Sequence, residues 1–310
     1  MHSTKRSRVL RTTVVIIAVV SCLPYLIFKV AWLSGSTIGI TSAEGAATMN
    51  DPRHLVGNYL TVAMDLLAIG LAVVLPRPIS HRLPAWLVLV PAWGATGLLA
   101  PIVLGLPVGL LVQLVTGTDV PVGSGDGLAG WVFVIIYGGF GVLGCCLAVL
   151  VLLHAMDRWR HIFTSGPRPP RPAVSAICAV PLLGYGLALL IWAITGPEAG
   201  GPAGFESPTQ RTVLAITGLL VVIGYATPLA RGFVARHPRW AVGATWAGCS
   251  VATLSGPTFV ALSHDGIVRI PLLIAAVVSA VAGLLYSIAL LRVTRSRPLQ
   301  TRFRQSAPRS

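Results

Sequence analysis

The chain has 310 residues, of which 55% are hydrophobic and only 10% charged, and its mean hydropathy is +0.81. A soluble domain carries roughly 25% charged residues, so this composition excludes a water-facing globular enzyme, a free nucleic-acid-binding domain and a disordered tail. Apolar runs of about 20 residues recur along the whole length, each sufficient to cross about 30 Å of hydrocarbon. The expected fold is an all-α, polytopic membrane protein.

Hydropathy read against helix breakers predicts eight transmembrane helices: Thr12–Leu33, Val56–Leu75, Trp86–Val115, Gly130–Ala155, Ala173–Thr195, Arg211–Ala230, Trp240–Ser263 and Ile270–Arg292. Pro76-Arg77-Pro78, the Pro-rich run 166–172 and Gly200-Gly201-Pro202 separate them. The organisation that follows is a basic N-terminus (1–11), spans one to four (12–160), a Pro/Arg-rich linker (161–172), spans five to eight (173–292) and a basic tail (293–310). Within the first span, Val19-Val20-Ser21-Cys22 matches a lipoprotein-type cleavage pattern, but the apolar run continues to Leu33, and the match is read as fortuitous.

The third segment stays apolar from Trp86 to Val115, longer than one straight crossing requires, and contains Pro91, Pro101 and Pro107. Two readings stand: a kinked continuous helix, or a discontinuous segment around Gly105-Leu106-Pro107 whose freed backbone lines a polar cavity.

The formal charge of +14 is unevenly distributed. Lys5, Arg6, Arg8, Arg11, Arg77, Arg82, Arg158, Arg160, Arg168, Arg171, Arg231, Arg236, Arg239 and the tail arginines from Arg292 to Arg309 all fall on one side of the eight-span arrangement. The other side holds Arg53, Arg211 and Arg269, together with Glu44, Asp51, Asp119, Asp126, Glu198, Glu206 and Asp265. The positive-inside rule therefore predicts both termini in the cytoplasm, in the inner membrane of the cell, with the basic patches meeting anionic lipid headgroups and no nucleic acid as partner.

The two halves carry matching features in the same order. Asp126-Gly127 and Asp265-Gly266 open corresponding loops, with Arg158 and Arg297 each 32 residues beyond the aspartate. Tyr25 and Trp32 parallel Tyr185 and Trp192, and His81, Trp86 and Pro101 find counterparts in His237, Trp240 and Pro257. Four spans per unit predict parallel repeats, related by an axis along the membrane normal.

Charges inside hydrocarbon are costly and are functional candidates by default. Lys29 lies near the outer end of the first span, and Asp65 lies in the second, with Asn58 two turns away on the same face. Lys29, Asn58 and Asp65 form the candidate intramembrane polar site. Three readings stand: a structural ion pair that docks two helices, Lys29 snorkelling to the interface while Asp65 stays protonated among Ser and Thr hydroxyls, or a proton- or cation-binding carboxylate with a counter-charge. Gln113 and His154 sit near span ends and read as interface anchors, and the cysteines Cys22, Cys145, Cys146, Cys178 and Cys249 read as packing residues. His264-Asp265 and the pair Asp119 and Asp126 are too few to make a metal site, and no motif implies a cofactor. Walker, nucleophile-elbow and His-Glu-x-x-His patterns do not occur.

Pro24-Tyr25 followed by the run from Lys29 through Trp32, Gly35 and Thr37 to Gly39 resembles the opening of uncharacterised multi-pass membrane proteins from high-GC actinobacteria. The resemblance covers about the first 75 residues. It implies a shared outer-end motif of Lys29, Trp32, Gly35, Thr37 and Gly39, and no activity. Function is thus expected to be transport of a small solute or ion through Asp65. The alternative is a non-catalytic scaffold or regulatory subunit for a protein partner, and the third reading is a membrane-embedded enzyme.

Overall fold

The computed structural model describes residues 2–41, 52–117, 128–263 and 268–295. Eight long helices carry the fold: α1 (His2–Leu33), α2 (Pro52–Val74), α3 (Ala85–Thr116), α4 (Gly130–Arg158), α5 (Pro172–Thr195), α6 (Pro208–Ala226), α7 (Pro238–Ala261) and α8 (Ile270–Arg295). Short helical turns at Ile79–Arg82, Arg160–Ser165 and Arg231–Arg236 link some of them, and no strand occurs among the described residues beyond one isolated bridge, Ile40 to Leu128. Each hydrophobic segment expected from the sequence is a helix, but only seven meet the length and hydropathy needed to cross a membrane. The exception is α7, where Gly243, Thr245, Gly248, Ser250, Thr253, Ser255, Gly256 and Thr258 dilute the apolar content. Seven such helices are compatible with a multi-pass integral membrane protein.

Helix boundaries follow local chemistry. α6 begins at Pro208, earlier than the hydropathy pattern predicted, because Ser207 and Gln210 form a reciprocal capping box and Pro208 occupies the first turn. α3 runs unbroken through Gly105-Leu106-Pro107, so the discontinuous reading is not realised. Its prolines leave the carbonyls four residues earlier without helical donors, a defect a packed helix tolerates.

Packing is densest where α3, α6 and α7 meet. α6 also packs on α5, α7 on α8, and α5 on α8; α1 packs on α4, and α4 on α3. α2 lies mainly against α1 and touches α3 and α4 only lightly. Small residues set the close approaches. A Cβ on Gly248 would overlap backbone atoms of Leu220 and Gly224, and one on Gly97 would overlap Ser250. The outward faces are apolar throughout, for example Val56, Tyr59, Leu60 and Leu67 on α2 and Ile177, Val180 and Ile194 on α5.

Gly248→Ala is expected to lower thermal stability in detergent by about 1–3 kcal/mol despite alanine's higher helix propensity, because the added carbon meets backbone. Gly184→Ala, where a Cβ meets nothing within 4 Å, is expected to be neutral or to stabilise by up to about 1 kcal/mol. Thermal unfolding of both variants in the same detergent checks the pair.

Candidate functional site

On α1 the residues Ala18, Cys22, Tyr25, Lys29 and Trp32 recur at helical spacing and form one inward stripe. On α2 the matching stripe is Asn58, Thr61, Asp65, Ala68 and Ala72. The helices run antiparallel and bring Lys29 to Asn58: Nζ donates to Asn58 Oδ1 at 2.6 Å. Nζ also sits 5.0 Å from the Tyr25 ring centre and 5.2 Å from that of Trp32, so the ammonium has an amide acceptor and two aromatic rings around it.

Asp65 is separate. It lies seven residues deeper along α2, about 10 Å at 1.5 Å per residue, at the level of Cys22 and Tyr25. It is 5% exposed, and its Oδ2 has no hydrogen-bond partner. Lys29 and Asp65 remain in electrostatic reach of one another, but no ion pair within 4.0 Å joins them. The arrangement offers a fixed, solvated-by-protein cation near the C-terminal end of α1 and a buried, under-partnered carboxyl nearer the middle of the bundle, of a kind that can hold a proton or small cation.

The outer-end motif closes the exit of α1. Gly35 is left-handed, with φ +88, and Gly35 N–H to Trp32 O and Ser36 N–H to Ala31 O form the paired bonds of a Schellman cap. Trp32 Nε1 donates to Ile38 O at 2.9 Å, and Thr37 O accepts from Ile40 N–H. Gly39, also left-handed, presents its carbonyl to Ala129 N–H at 2.7 Å and its Cα to Val132. The four residues therefore clamp α1 to the start of α4.

The two residues read as interface anchors both make side-chain contacts with other segments. His154 is 2% exposed, within hydrogen-bond distance of Ser80 Oγ, with the His81 ring 4.9 Å away. Beside it Arg158 donates to the carbonyls of Ser80 and Leu83, pinning the turn between α2 and α3, while Arg11 pairs with Asp157. Gln113 Oε1 accepts from Thr209 Oγ1 at 2.6 Å and so bridges α3 and α6. Four cysteines are buried, whereas Cys145 is exposed on the outward face of α4. Asp119, Asp126, His264 and Asp265 lie outside the described residues.

Sequence reading missed a cavity of about 420 Å³ at the end of the bundle opposite Arg11 and Arg158, lined by α3, α4, α6 and α7. Phe133, Tyr137, Phe205 and Phe259 give it aromatic walls, and Glu198, Glu206 and Arg269 stand among its lining residues. Its size falls within the range of small-molecule sites. No spacing reveals it, because its walls come from four helices and two loops. Tyr137 packs edge-on to Phe140, which in turn packs edge-on to Tyr25 at 4.7 Å, so one wall of the cavity and the α1–α2 polar stripe share a helix, α4.

Gly35→Ala is expected to cost about 1–2 kcal/mol for its left-handed backbone alone, since a Cβ there meets open space. Gly39→Ala is expected to cost about 1–3 kcal/mol more, because its Cβ also overlaps Val132. Melting temperatures of the two variants in one detergent test the order. In comparisons with known proteins, no family model, no curated protein and no solved structure matches this chain, so the chemistry rests on its own residues.

Proposed function

We propose that the chain is a transporter of a small solute or ion in which Asp65 is the intramembrane proton- or cation-binding carboxylate. The observation that carries this reading is the unpartnered Oδ2 of a side chain 5% exposed. A docking ion pair would engage Lys29 with Asp65, yet the ammonium is committed to Asn58. Buried carboxylates without a full complement of partners are kept at a cost, which fits a group that takes up and releases a ligand. The light packing of α2 beyond α1 supports movement of the helix that bears Asp65, and the outer cavity supplies room for a solute.

In this proposal all eight helices cross the inner membrane, with both termini in the cytoplasm. α7 needs less hydropathy than its neighbours because α3, α6 and α8 surround it. The basic ends support the orientation: Arg11, Arg77, Arg158, Arg171 and Arg239 lie at one end of the bundle, in range of anionic headgroups. The pairing order supports two four-helix units, since α1–α2, α1–α4 and α3–α4 contacts are matched by α5–α6, α5–α8 and α7–α8.

Asp65→Asn is expected to leave thermal stability unchanged or raised, and Lys29→Met combined with it is expected to be additive within about 0.5 kcal/mol. In liposomes under an imposed pH gradient, Asp65→Asn is expected to lose the proton flux of the wild type. Strong destabilisation by each single change, with recovery in the double variant, identifies a structural pair and overturns the reading. For orientation, Glu198→Cys but not Ser165→Cys is expected to react with a membrane-impermeant maleimide on intact cells, in a background lacking the five native cysteines. The reverse labelling pattern inverts the topology.

A further inference from the structure

Toward the basic end of the bundle, a groove of about 370 Å³ runs between α3, α4 and α7. Nearly all its walls are apolar, and none of its lining residues is acidic. On α4 the lining extends from Gly144 to Ala155, about 16 Å at 1.5 Å per residue, which matches one leaflet of a hydrocarbon core roughly 30 Å thick. The groove exists because α2 leans on α1. On the other side of the α3–α7 contact, α6 packs closely against both helices, whereas α2 makes at most marginal contact with α7.

The basic end of the groove has a distinct character. Trp159 and Phe163 line it there, and the guanidinium of Arg158 lies 4.9 Å from the Trp159 ring centre. On α7 the lining residues are Val242, Gly243 and Trp246, with Ala247 beyond them. Arg239 precedes the first three by three, four and seven residues, which puts it on the same helical stripe, one turn nearer the end. Arg239 and Arg160 are both exposed. The nearby carboxylate, Asp157, is paired with Arg11.

We infer that this groove is a lipid site: it takes one acyl chain of an anionic phospholipid, whose phosphate is held by Arg160 and Arg239. The apolar wall of leaflet length selects a chain, and the exposed arginines that lie just beyond its basic end, next in sequence to Trp159 and one turn from Val242, select a phosphate that carries net negative charge. This assignment needs the protein to be embedded in a bilayer, as proposed above, but not Asp65 chemistry, and it holds for either sidedness.

Gly243 supplies the test, because it lines the groove and a Cβ there meets nothing within 4 Å. The full chain in detergent is mixed with dioleoyl phosphatidylglycerol or dioleoyl phosphatidylcholine, and retained lipid is counted by native mass spectrometry. The wild type is expected to retain one phosphatidylglycerol with at least about tenfold preference over phosphatidylcholine, the scale of one charge-assisted contact. Arg160→Gln with Arg239→Gln is expected to bring the two lipids close to parity. Gly243→Leu is expected to lose both, with an unchanged melting temperature in lipid-free detergent showing that it folds. Equal retention of the two lipids by the wild type overturns the headgroup assignment. Wild-type retention by a folded Gly243→Leu overturns the groove.

Discussion

The close approach of α3, α6 and α7 is the constraint on which the rest of the molecule depends. Lipid tails are as apolar as leucine, so no hydrophobic driving force pulls helices together inside a bilayer. What remains is contact area and interhelical hydrogen bonding, both of which require backbones to come near one another. Gly97, Gly105 and Gly109 on α3, Gly224 on α6 and Gly248 on α7 provide that proximity, since a Cβ at each meets another of these three helices, while Gly218 and Gly256 do the same toward α5 and α8.

Once the helices are close, weakly polar side chains cross between them. Ser250 donates to Trp93 O, Trp246 Nε1 to Thr96 Oγ1, and Ser279 to Ala252 O. Tyr225 reaches Ser175 O and Tyr286 reaches Tyr225 O, while Tyr185 and Ser255 share a bond at 3.0 Å. Each satisfies polar groups that hydrocarbon would leave unsolvated, so the same bonds hold the bundle and fix its register. This explains why α7 is the least hydropathic of the eight: its neighbours are protein, and serine, threonine and glycine serve such contacts better than leucine.

The first four helices lack one part of this pattern. α2 is held mainly by α1, and along that seam lie Lys29, Asn58 and Asp65. The displacement of α2 has two consequences: it leaves a carboxylate incompletely partnered, and it leaves a groove beside α3, α4 and α7. Among the described residues of the second half no buried carboxylate is left without a partner.

Composition and hydropathy determined the fold class, the eight helices and most of their limits, because a bilayer dictates segment length and apolar content before any tertiary contact forms. The candidate set Lys29, Asn58 and Asp65 was legible too, since helical periodicity places Asn58 and Asp65 on one face. Tertiary structure decided what periodicity cannot express. It gave Lys29 to Asn58, because helix register sets which side chains meet across a seam. It buried His154 and engaged Gln113, since depth along a helix does not tell whether a neighbour covers it. The aromatic-walled cavity and the apolar groove were invisible in the chain, as their walls gather from segments distant in sequence. Which helices become neighbours depends on glycine contacts made one atom at a time, and no hydropathy pattern records those distances.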